Sequence, residues 1–481
     1  MIGVAASNRQ SDRMTSLGRR VALFLFTLLT AVAFQSAPAA NQKPNVIFIL
    51  VDDMGWTDLG IQGSKFYETP SIDRLARQGM KFTQAYSACT VCSPTRASVM
   101  TGKYPARLHL TDWIAGHVRP YAKLKVPDWT MRLPLEETTI AEALKRDGYT
   151  TASIGKWHLG GPEFFPDKQG FDENIGGCDK GQPPNYFSPY GIPTLSDGPK
   201  GEFLSDRLTD EALAFIEANR TSPFFLYLSH YAVHSPLMAR ETLVADASRR
   251  PAADGQGNAV YAAMLRSVDD GVGRIRDKLR QLHLDEQTIL VFTSDNGGAV
   301  HFGNPPATAN GPLRLGKGYP YEGGLRVPLL MKVPGMTRGG THCDTPVISH
   351  DFFPTLLELA GGAPATDALD GVSFVPLLHG QSSLSRDGLF WHYPHYWFGG
   401  KVSPYSVALV GDWKLIRFYE DSHEELYNLR DDPSEQNDCA AARPDQRRAL
   451  GLRLDNWLHS VGAQMNAARQ NPPTSPTPLA R

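Results

Sequence analysis

The sequence predicts an α/β fold with a largely parallel central sheet, and two observations carry this prediction. Several runs of β-branched and aromatic residues are apolar along their whole length and stop abruptly at polar residues, as strands do when helices cover both faces of a sheet. Segments with helix-capping signals lie between these runs, and alternating strands and helices are typical of the α/β class. The length of 481 residues fits one large domain or two or three smaller ones.

The apolar runs end in clusters of polar residues. The predicted strands are residues 46–51, 150–154, 224–228 and 289–293. The clusters that follow them are Asp52-Asp53, Gly155-Lys156-Trp157-His158, Ser229-His230 with His234, and Ser294-Asp295-Asn296. Ligands of an open α/β sheet bind beyond the carboxyl ends of its strands. We therefore expect these clusters to lie together at one edge of the sheet.

Helix signals separate the strands. Thr69 and Pro70 precede a periodic apolar run that ends at a glycine, which predicts a capped helix with proline in its first turn. Thr139 and Glu142 have the spacing of a capping box and predict a second helix. A third helix is predicted over residues 351–361.

The C-terminal part of the sequence has a different pattern. After about residue 385 short aromatic strands are predicted, such as 406–410 and 413–417, and then a helix near residues 444–459. This pattern indicates a small α+β appendage. The predicted organisation is a signal peptide over 1–39, a main N-terminal domain over 43–384, a smaller subdomain over 385–465 and a proline-rich, disordered tail over 466–481.

The N-terminal segment has the form of a secretory signal peptide. Arg19 and Arg20 precede the apolar run 21–34, and a small-x-small cleavage site follows at 37–39. A membrane anchor is the alternative, but fourteen apolar residues fall short of the roughly 20 that a spanning helix needs. We therefore expect a secreted or periplasmic protein with no stable membrane span.

Composition and charge exclude some functions. The formal net charge is -2, and no block of five Lys or Arg residues occurs, so the sequence lacks the basic patch of a nucleic-acid-binding protein. The cysteines number five, an odd count that leaves at least one unpaired in an exported chain. Cys89 and Cys92 form a C-x-x-C, so a thiol-disulfide motif is one candidate, although no thioredoxin-sized βαβ context surrounds it.

Asp52, Asp53, Asp295 and Asn296 are candidate metal ligands, because they offer only oxygen donors in adjacent pairs at two predicted strand ends. Hard oxygen ligands favour calcium or magnesium over zinc, and mixed carboxylate and amide oxygens in this number favour calcium. The alternative is that both pairs are turn formers, which is the commoner role of a single such dipeptide. Two pairs at equivalent strand ends favour the metal.

Cationic and ionisable side chains are predicted at the same edge: Arg96, Lys156, His158, His234 and Lys317. Any one of them alone fits a solvated surface residue or a satisfied core group. Together, beside a divalent ion, they indicate a pocket for an anion whose charge develops on several oxygens. Sulfate esters and phosphate esters both fit this description.

The segment Cys92-x-Pro94-x-Arg96, followed by Thr101-Gly102, resembles the signature of the type I sulfatases, in which a separate formylglycine-generating or sulfatase-maturing enzyme converts the cysteine to Cα-formylglycine (3-oxoalanine). The resemblance spans roughly residues 44 to 440. It implies an alkaline-phosphatase-like α/β/α sandwich with a central, mostly parallel sheet and a smaller C-terminal α+β subdomain. Further blocks that resemble the family, in its order, are Asp52-Asp53, residues 155–160, residues 294–297, and Lys317 with Glu322-Gly323-Gly324 and Arg326.

Some positions depart from the family pattern. Thr95 stands where serine is frequent, Val233 stands where proline is common, and Leu315 interrupts a usually glycine-rich loop. None of these is a catalytic group. The second departure leaves open whether His234 or His230 is the histidine at the leaving group.

The resemblance implies that Asp52, Asp53, Asp295 and Asn296 bind one calcium ion together with the modified Cys92. A thiol is a poor ligand for hard calcium, whereas a hydrated aldehyde offers one oxygen to bind metal and attack sulfur and a second to finish the reaction.

The resemblance also implies a role for each cationic group. Lys156 binds sulfate oxygens, and His234 and Lys317 stabilise or protonate the leaving alcohol. Arg96 holds the hydrate, and His158 helps to remove the proton of its second hydroxyl. Loss of that proton restores the aldehyde and expels sulfate.

The identity of the sulfated substrate depends on weaker signals. His109, Asp112 and Trp113 near the site, and His392 and His395 in the appendage, have the aromatic and hydrogen-bonding character that recognises sugar rings. The alternative is that these segments pack the two domains together. Export favours a sulfated carbohydrate, such as a glycosaminoglycan or an algal galactan, over a steroid sulfate, and an aryl sulfate is the other expected substrate.

Two other functions stay open at the level of sequence. A phosphomonoester or phosphonate hydrolase can use the same scaffold, and some of those enzymes also carry formylglycine. If Cys92 stays a thiol, the same calcium and basic pocket would bind sulfated glycans without cleaving them.

Overall fold

The four predicted buried strands lie side by side in the middle of a nine-stranded sheet. In the computed structural model the strands are β1 Asn45–Val51, β2 Met80–Tyr86, β3 Leu124–Lys125, β4 Thr150–Gly155, β5 Glu173–Ile175, β6 Phe224–Ser229, β7 Thr288–Ser294, β8 Arg326–Lys332, β9 Thr341–Cys343, β10 Val347–Ile348, β11 Leu389–Tyr393, β12 Tyr405–Val410, β13 Trp413–Phe418, β14 Glu424–Asn428 and β15 Ala467–Ala468. Each predicted strand is extended by one or two residues.

The structure describes residues 1–3, 43–116, 121–303, 305–362, 368–397 and 401–470. Its elements all belong to the unit that begins at Lys43. The predicted signal peptide over 1–39 falls outside the described residues, apart from its first three, and so does the tail from residue 471 onward.

The large sheet has the order β10-β2-β8-β7-β1-β6-β4-β5, and β9 pairs with β2. Strand β8 is antiparallel to both of its neighbours, β2 and β7, and the other pairs are parallel. The predicted, mostly parallel sheet is therefore confirmed, with β8 as the exception. Because β1, β4, β6 and β7 run in one direction, their carboxyl ends lie at the same edge.

Helices cover both faces of this sheet, which explains why its central strands are apolar throughout. In β1, Ile47 and Ile49 pack into one core layer, while Phe48 and Leu50 pack into the other. The helices are α1 Pro70–Gln78, α2 Cys92–Thr101, α3 Pro105–Leu108, α4 Ile140–Arg146, α5 Leu204–Ala218, α6 Glu241–Ala247, α7 Ala259–Gln281, α8 Glu322–Leu325, α9 Phe352–Leu359, α10 Val375–Leu378 and α11 Pro444–Ser460. The α/β/α sandwich predicted from the sequence is thus present.

The predicted helix starts are confirmed, although one of them is stabilised differently. The capping box of α4 forms, with Thr139 Oγ1 accepting from the Glu142 amide and the Glu142 carboxylate accepting from the Thr139 amide. At α1, Thr69 Oγ1 instead donates to Asp73 Oδ1 at 2.9 Å and accepts from the Gly60 amide at 2.9 Å. The helix predicted over 351–361 begins with a 3-10 turn and ends earlier, at Leu359.

The C-terminal strands β11 to β14 form a separate antiparallel sheet in sequential order. Helix α11 contributes Leu450, Leu454 and Trp457 to the core that this sheet shares with residues around Tyr86 and Tyr321 of the main domain. The smaller subdomain therefore has the predicted α+β character.

The described end of the chain differs from the predicted disordered tail. Residues 466–470 are described, and β15 pairs with β3, with Ala467 opposite Lys125 and Ala468 opposite Leu124. The Asn466 side chain also donates to the Pro394 carbonyl at 2.9 Å. A two-residue strand has no apolar periodicity, so the sequence pattern does not reveal this pairing.

Within the described residues, no helix has both the length and the apolar character needed to cross a membrane.

Candidate active site

The polar clusters that follow the central strands converge, as expected, at the carboxyl edge of the sheet. Asp52 follows β1, Lys156 follows β4 and Asp295 follows β7. Cys92 is the first residue of α2, which the chain reaches from the end of β2. These side chains are buried, with at most 3% of their surface exposed. Together they form a buried polar cluster at this edge of the sheet.

Each of the two adjacent aspartates after β1 pairs with a lysine from a distant part of the chain. Lys156 Nζ lies 2.5 Å from Asp52 Oδ2, and Lys317 Nζ lies 2.6 Å from Asp53 Oδ1. Burial opposes ionisation of Asp53, but the charges of Lys317, His234 and Lys156 together outweigh it and lower the pKa of Asp53. Asp53 is thus an anion in the folded protein. Its backbone has a φ of 61°, which turns the chain sharply after the strand.

Arg96 links α2 to the end of β7. Its Nε and Nη2 donate to Asp295 Oδ2 at 3.0 and 2.8 Å, and Nη1 donates to Ser229 Oγ at 2.6 Å. Burial opposes ionisation of Asp295 as well, but Arg96 lowers its pKa. Ser229 was not among the predicted site residues. Its position directly after an apolar strand, beside His230, is the signal that points to it.

The oxygen donors predicted from the sequence fit a hard cation. Asp52 Oδ1 and Asn296 Oδ1 are both buried and have no hydrogen-bond partner among the described residues. The side-chain nitrogen of Asn296, Nδ2, donates to Asp53 Oδ1 at 2.8 Å. The side-chain oxygen of Asn296 therefore points away from Asp53. Burying an unpartnered polar atom costs free energy, so such atoms in one pocket indicate a missing partner of positive charge. Ligand atoms of Asp52, Asp53, Cys92 and His234 also lie within 4.8 Å of one another.

The Cys92 thiol lies inside this charged pocket. Its Sγ is 3.5 Å from Lys317 Nζ. Burial would raise the pKa of Cys92, but the charges of Lys156 and Lys317 outweigh burial and lower it to about 6. Burial raises the pKa of Cys89 to about 12 instead. The five cysteines are all described and all unpaired, so no disulfide joins Cys89 to Cys92.

The histidines at the edge differ in their surroundings. His234 Nε2 lies 3.6 Å from Asp53 Oδ2, and although burial and Lys317 oppose it, Asp53 raises the pKa of His234. Burial lowers the pKa of His230 to about 4, and its Nδ1 has no partner among the described residues. His234, not His230, belongs to the group that surrounds Cys92. This placement favours His234 as the leaving-group histidine.

His158 is held by the backbone of a neighbouring loop. Its Nε2 hydrogen-bonds to the Ile114 carbonyl, and its Nδ1 has no partner among the described residues. Burial and the charge of Lys156 lower the pKa of His158. A neutral ring that donates through Nε2 leaves Nδ1 as an acceptor.

The predicted substrate residues fall into two groups. His109 and His392 are used for packing: His109 Nε2 bonds to the Gly462 carbonyl at 2.9 Å, and His392 bonds to Ser406 Oγ at 2.7 Å and to the Gln464 carbonyl at 2.9 Å. For His109 the structure favours the alternative of packing between domains, whereas the contacts of His392 lie within the C-terminal subdomain.

Asp112, Trp113 and His395 lie closer to the pocket. The Trp113 ring is 6.5 Å from the His158 ring. Asp112 accepts from Tyr393 Oη at 2.8 Å and lies 3.7 Å from His395 Nδ1. The roles of these residues toward substrate stay predictions.

Comparison with known proteins identifies the family. Residues 44–363 match the family described as Sulfatase, and residues 315–460 match the one described as N-sulphoglucosamine sulphohydrolase, C-terminal. A protein named Sulfatase from Formosa agariphila is 33% identical over 92% of this chain and 94% of its own length. N-acetylgalactosamine-6-sulfatase of Mus musculus is 36% identical over 74% of this chain and 70% of its own length.

Among solved structures, that of Ps i-CgsB in complex with k-i-k-neocarrahexaose has a TM-score of 0.74 and 29% identity, covering 87% of this chain and 93% of its own. The resemblance drawn from Cys92, Pro94 and Arg96 is therefore confirmed at the level of family. The chain belongs to the sulfatase family of the alkaline phosphatase superfamily and is a sulfuric ester hydrolase.

Proposed function

We propose that this protein is an exported sulfatase that removes sulfate from a sulfated carbohydrate, using Cα-formylglycine formed from Cys92 and one bound calcium ion. The observation that carries the proposal is the burial of Cys92 among cations and unpartnered oxygens at one sheet edge. Two similar proteins support a carbohydrate: one is named N-acetylgalactosamine-6-sulfatase, and another was solved with k-i-k-neocarrahexaose.

Asp52, Asp53, Asp295 and Asn296, with the modified Cys92, are the residues that would hold the ion. When bound, the ion and the formylglycine hydrate supply charge neutralisation and an oxygen nucleophile. Asp52 Oδ1 and Asn296 Oδ1, which have no hydrogen-bond partner in the described part of the chain, are the atoms of this set that are open to a hard cation.

In this proposal Lys156 binds oxygens of the sulfate group, and Lys317, together with His234, stabilises the leaving alcohol. Both ammonium groups are buried in the pocket, and Lys317 Nζ lies 3.5 Å from Cys92 Sγ. Charges that are fixed before the reaction stabilise a transition state better than solvent does, because they need no reorganisation. Arg96 fixes the Asp295 carboxylate through its Nε and Nη2 and so keeps this side of the pocket rigid.

His234 and His158 are suited to opposite proton transfers. The raised pKa of His234 favours the protonated ring, which can donate to the leaving oxygen. The lowered pKa of His158 favours the neutral ring, whose Nδ1 can accept a proton. His158 is buried, whereas 15% of the His234 side chain is exposed, so the two rings differ in their access to bulk water.

The test is turnover of an aryl sulfate and an aryl phosphate by protein that is produced with a formylglycine-generating enzyme, together with the intact mass of the Cys92 peptide. We expect a mass that corresponds to exchange of sulfur for oxygen with loss of two hydrogens, and faster release of sulfate than of phosphate. A converted protein that prefers phosphate would establish the phosphohydrolase alternative. Tight binding of sulfated glycans by an unconverted, inactive thiol form would establish the binding-protein alternative.

A further inference from the structure

A cavity of about 260 Å³ lies next to the candidate active site. It is separated from the site by the short loop from Asp112 to Ile114. The residues that give the cavity its chemical character are Asp112, Lys125, Trp129, His395, Tyr396 and Arg469. Apart from Asp112 and His395, none of them was singled out from the sequence.

The separating loop touches the reacting part of the site directly. The Ile114 amide donates to Ser93 Oγ at 3.1 Å, beside Cys92, and the Ile114 carbonyl accepts from His158 Nε2. Asp112, two residues earlier, lines the cavity. Two residues of extended chain span at most about 7 Å, so Asp112 at the cavity wall and Ile114 at the site are close neighbours.

The walls of the cavity are held by backbone pairing. The pairing of β15 with β3 sets Ala467 opposite Lys125, two residues before Arg469, and Arg469 Nη1 donates to the Ala122 carbonyl at 2.7 Å. Tyr396 Oη accepts from the Lys123 amide at 3.1 Å. The cavity is therefore a formed feature of the fold.

The polarity of the cavity favours an anion attached to a ring. The Asp112 carboxylate contacts Tyr393 and His395. Lys125 and Arg469 have exposed side chains that bring positive charge to the cavity. Trp129 supplies a flat apolar surface. The volume of about 260 Å³ lies just below the ~300 Å³ at which ligand pockets usually begin, so the cavity has room for no more than one sugar ring.

We infer that this cavity binds the neighbouring sugar unit of the substrate, a sulfated or carboxylated ring next to the one that loses its sulfate. The inference rests on the proposed function and adds to it that the preferred substrate is an oligosaccharide with a second negative charge. Lys125 and Arg469 bind that charge, and Trp129 packs against the ring.

The experiment compares wild type, K125A and R469A on 4-nitrophenyl sulfate and on sulfated galactan and glycosaminoglycan tetrasaccharides with their monosaccharide sulfates. The matched control is K123A, because Lys123 is an exposed lysine on the same segment whose Nζ pairs with Glu420 at 2.6 Å. Loss of one charge-assisted hydrogen bond should raise KM for the preferred tetrasaccharide about tenfold with kcat unchanged. Turnover of 4-nitrophenyl sulfate and of monosaccharides should stay within about twofold of wild type.

The inference would be overturned if K125A and K123A had the same KM for the tetrasaccharide. It would also be overturned if K125A lost as much activity on 4-nitrophenyl sulfate as on the tetrasaccharide, because that result would indicate a structural role. A binding measurement keeps this result distinct from failure of the proposed function. In a Cys92→Ala background, calorimetry with the same tetrasaccharides should show about tenfold weaker binding after K125A and no change after K123A. If wild type hydrolyses no sulfate ester, the proposed function fails, and this binding comparison alone decides the role of the cavity.

Discussion

Two groups of buried charged side chains in this molecule contain similar residue types but differ in how fully their oxygens are paired. The active-site cluster consists of Asp52, Asp53, Arg96, Lys156, Asp295, Asn296 and Lys317. The interface cluster consists of Tyr86, Glu322, Arg326, Lys414 and Glu435. The second cluster joins the main domain to the C-terminal sheet, since Lys414 lies on β13 and Glu322 begins α8.

The interface cluster satisfies its own charges. Lys414 Nζ lies 3.0 Å from Glu322 Oε1 and 2.8 Å from Glu435 Oε1. The other oxygen of Glu322 has Arg326 Nε at 2.9 Å and Tyr86 Oη at 3.0 Å, and the other oxygen of Glu435 accepts from the Glu322 amide at 2.7 Å. Every carboxylate oxygen in this cluster therefore lies within 3.0 Å of a cationic nitrogen or a hydrogen-bond donor, although Glu435 Oε1 and Arg326 Nε contact their partners as ion pairs and make no hydrogen bond among the described residues.

The active-site cluster leaves oxygens unused. Asp52 Oδ1 has no hydrogen bond to any described residue, and Arg96 Nη2 lies 3.8 Å from it. The carbonyl oxygen of Asn296 also has no hydrogen bond among the described residues. Buried charges that complete one another hold a structure together, whereas buried oxygens without partners mark a place where a ligand belongs. Four predictions test this difference between the two clusters.

The largest effect is expected at Cys92. Cys92→Ala should lower kcat for an aryl sulfate about 10⁵-fold, because the nucleophile is lost, and should change the free energy of unfolding by less than about 1 kcal/mol. Steady-state kinetics and denaturant unfolding measure the two quantities. Cys89→Ser is the matched control, and most activity should remain. The reverse pattern would move the chemistry to Cys89 and refute the assignment.

Metal removal should affect only the cluster with unpartnered oxygens. Chelation should lower activity at least about 100-fold, and calcium should restore it better than zinc. Calcium at about 100 times its dissociation constant should also stabilise the fold by about 3 kcal/mol, measurable as a rise in Tm. Asn296→Ala should reduce this rise. An unchanged Tm on addition of calcium would argue against a bound ion.

Lys414→Met should destabilise the fold without changing the metal site. It leaves Glu322 and Glu435 buried together without their shared cation, which should lower the free energy of unfolding by about 3 kcal/mol. Lys65→Met is a surface control, because Lys65 pairs with Asp254 in an exposed ion pair, and it should cost less than about 1 kcal/mol. The calcium-dependent rise in Tm should persist in Lys414→Met. Its loss would show that the two clusters are coupled.

The smallest effect concerns pH and Glu435. Burial and the nearby Glu322 raise the pKa of Glu435 to about 7, despite Lys414. Between its ordinary value near 4.5 and 7, the folded state keeps a proton that the unfolded state releases, so this group contributes stability at low pH that is lost as pH rises through about 7. Relative to wild type, Glu435→Gln should therefore gain about 2 to 3 kcal/mol from pH 5 to pH 8 in denaturant titrations. A parallel pH dependence in both proteins would contradict the raised pKa.

The elements of the fold were largely predictable. The apolar runs from residue 46, 150, 224 and 289 gave the central strands, because a strand buried on both faces carries no polar residue. The direction of β8 was not predictable, since a local run of apolar residues is the same for either orientation. The ordered segment around β15 was missed for a related reason, because its pairing with Lys125 involves residues remote in sequence.

For the site, the chemical groups could be read directly from the sequence. So could their position after strands whose carboxyl ends meet at one edge of the sheet. The sequence also carried the Cys92-x-Pro94-x-Arg96 signature that indicates the family. The pairing of charges depends on the tertiary structure. Lys317 and Asp53 are 264 positions apart in the sequence, and no local pattern encodes their contact. The tertiary structure also decided that His234 rather than His230 joins Cys92, and that a cavity lies beyond Asp112. Local patterns reflect burial and backbone geometry, whereas the energy of a buried charge depends on every group that packing brings around it.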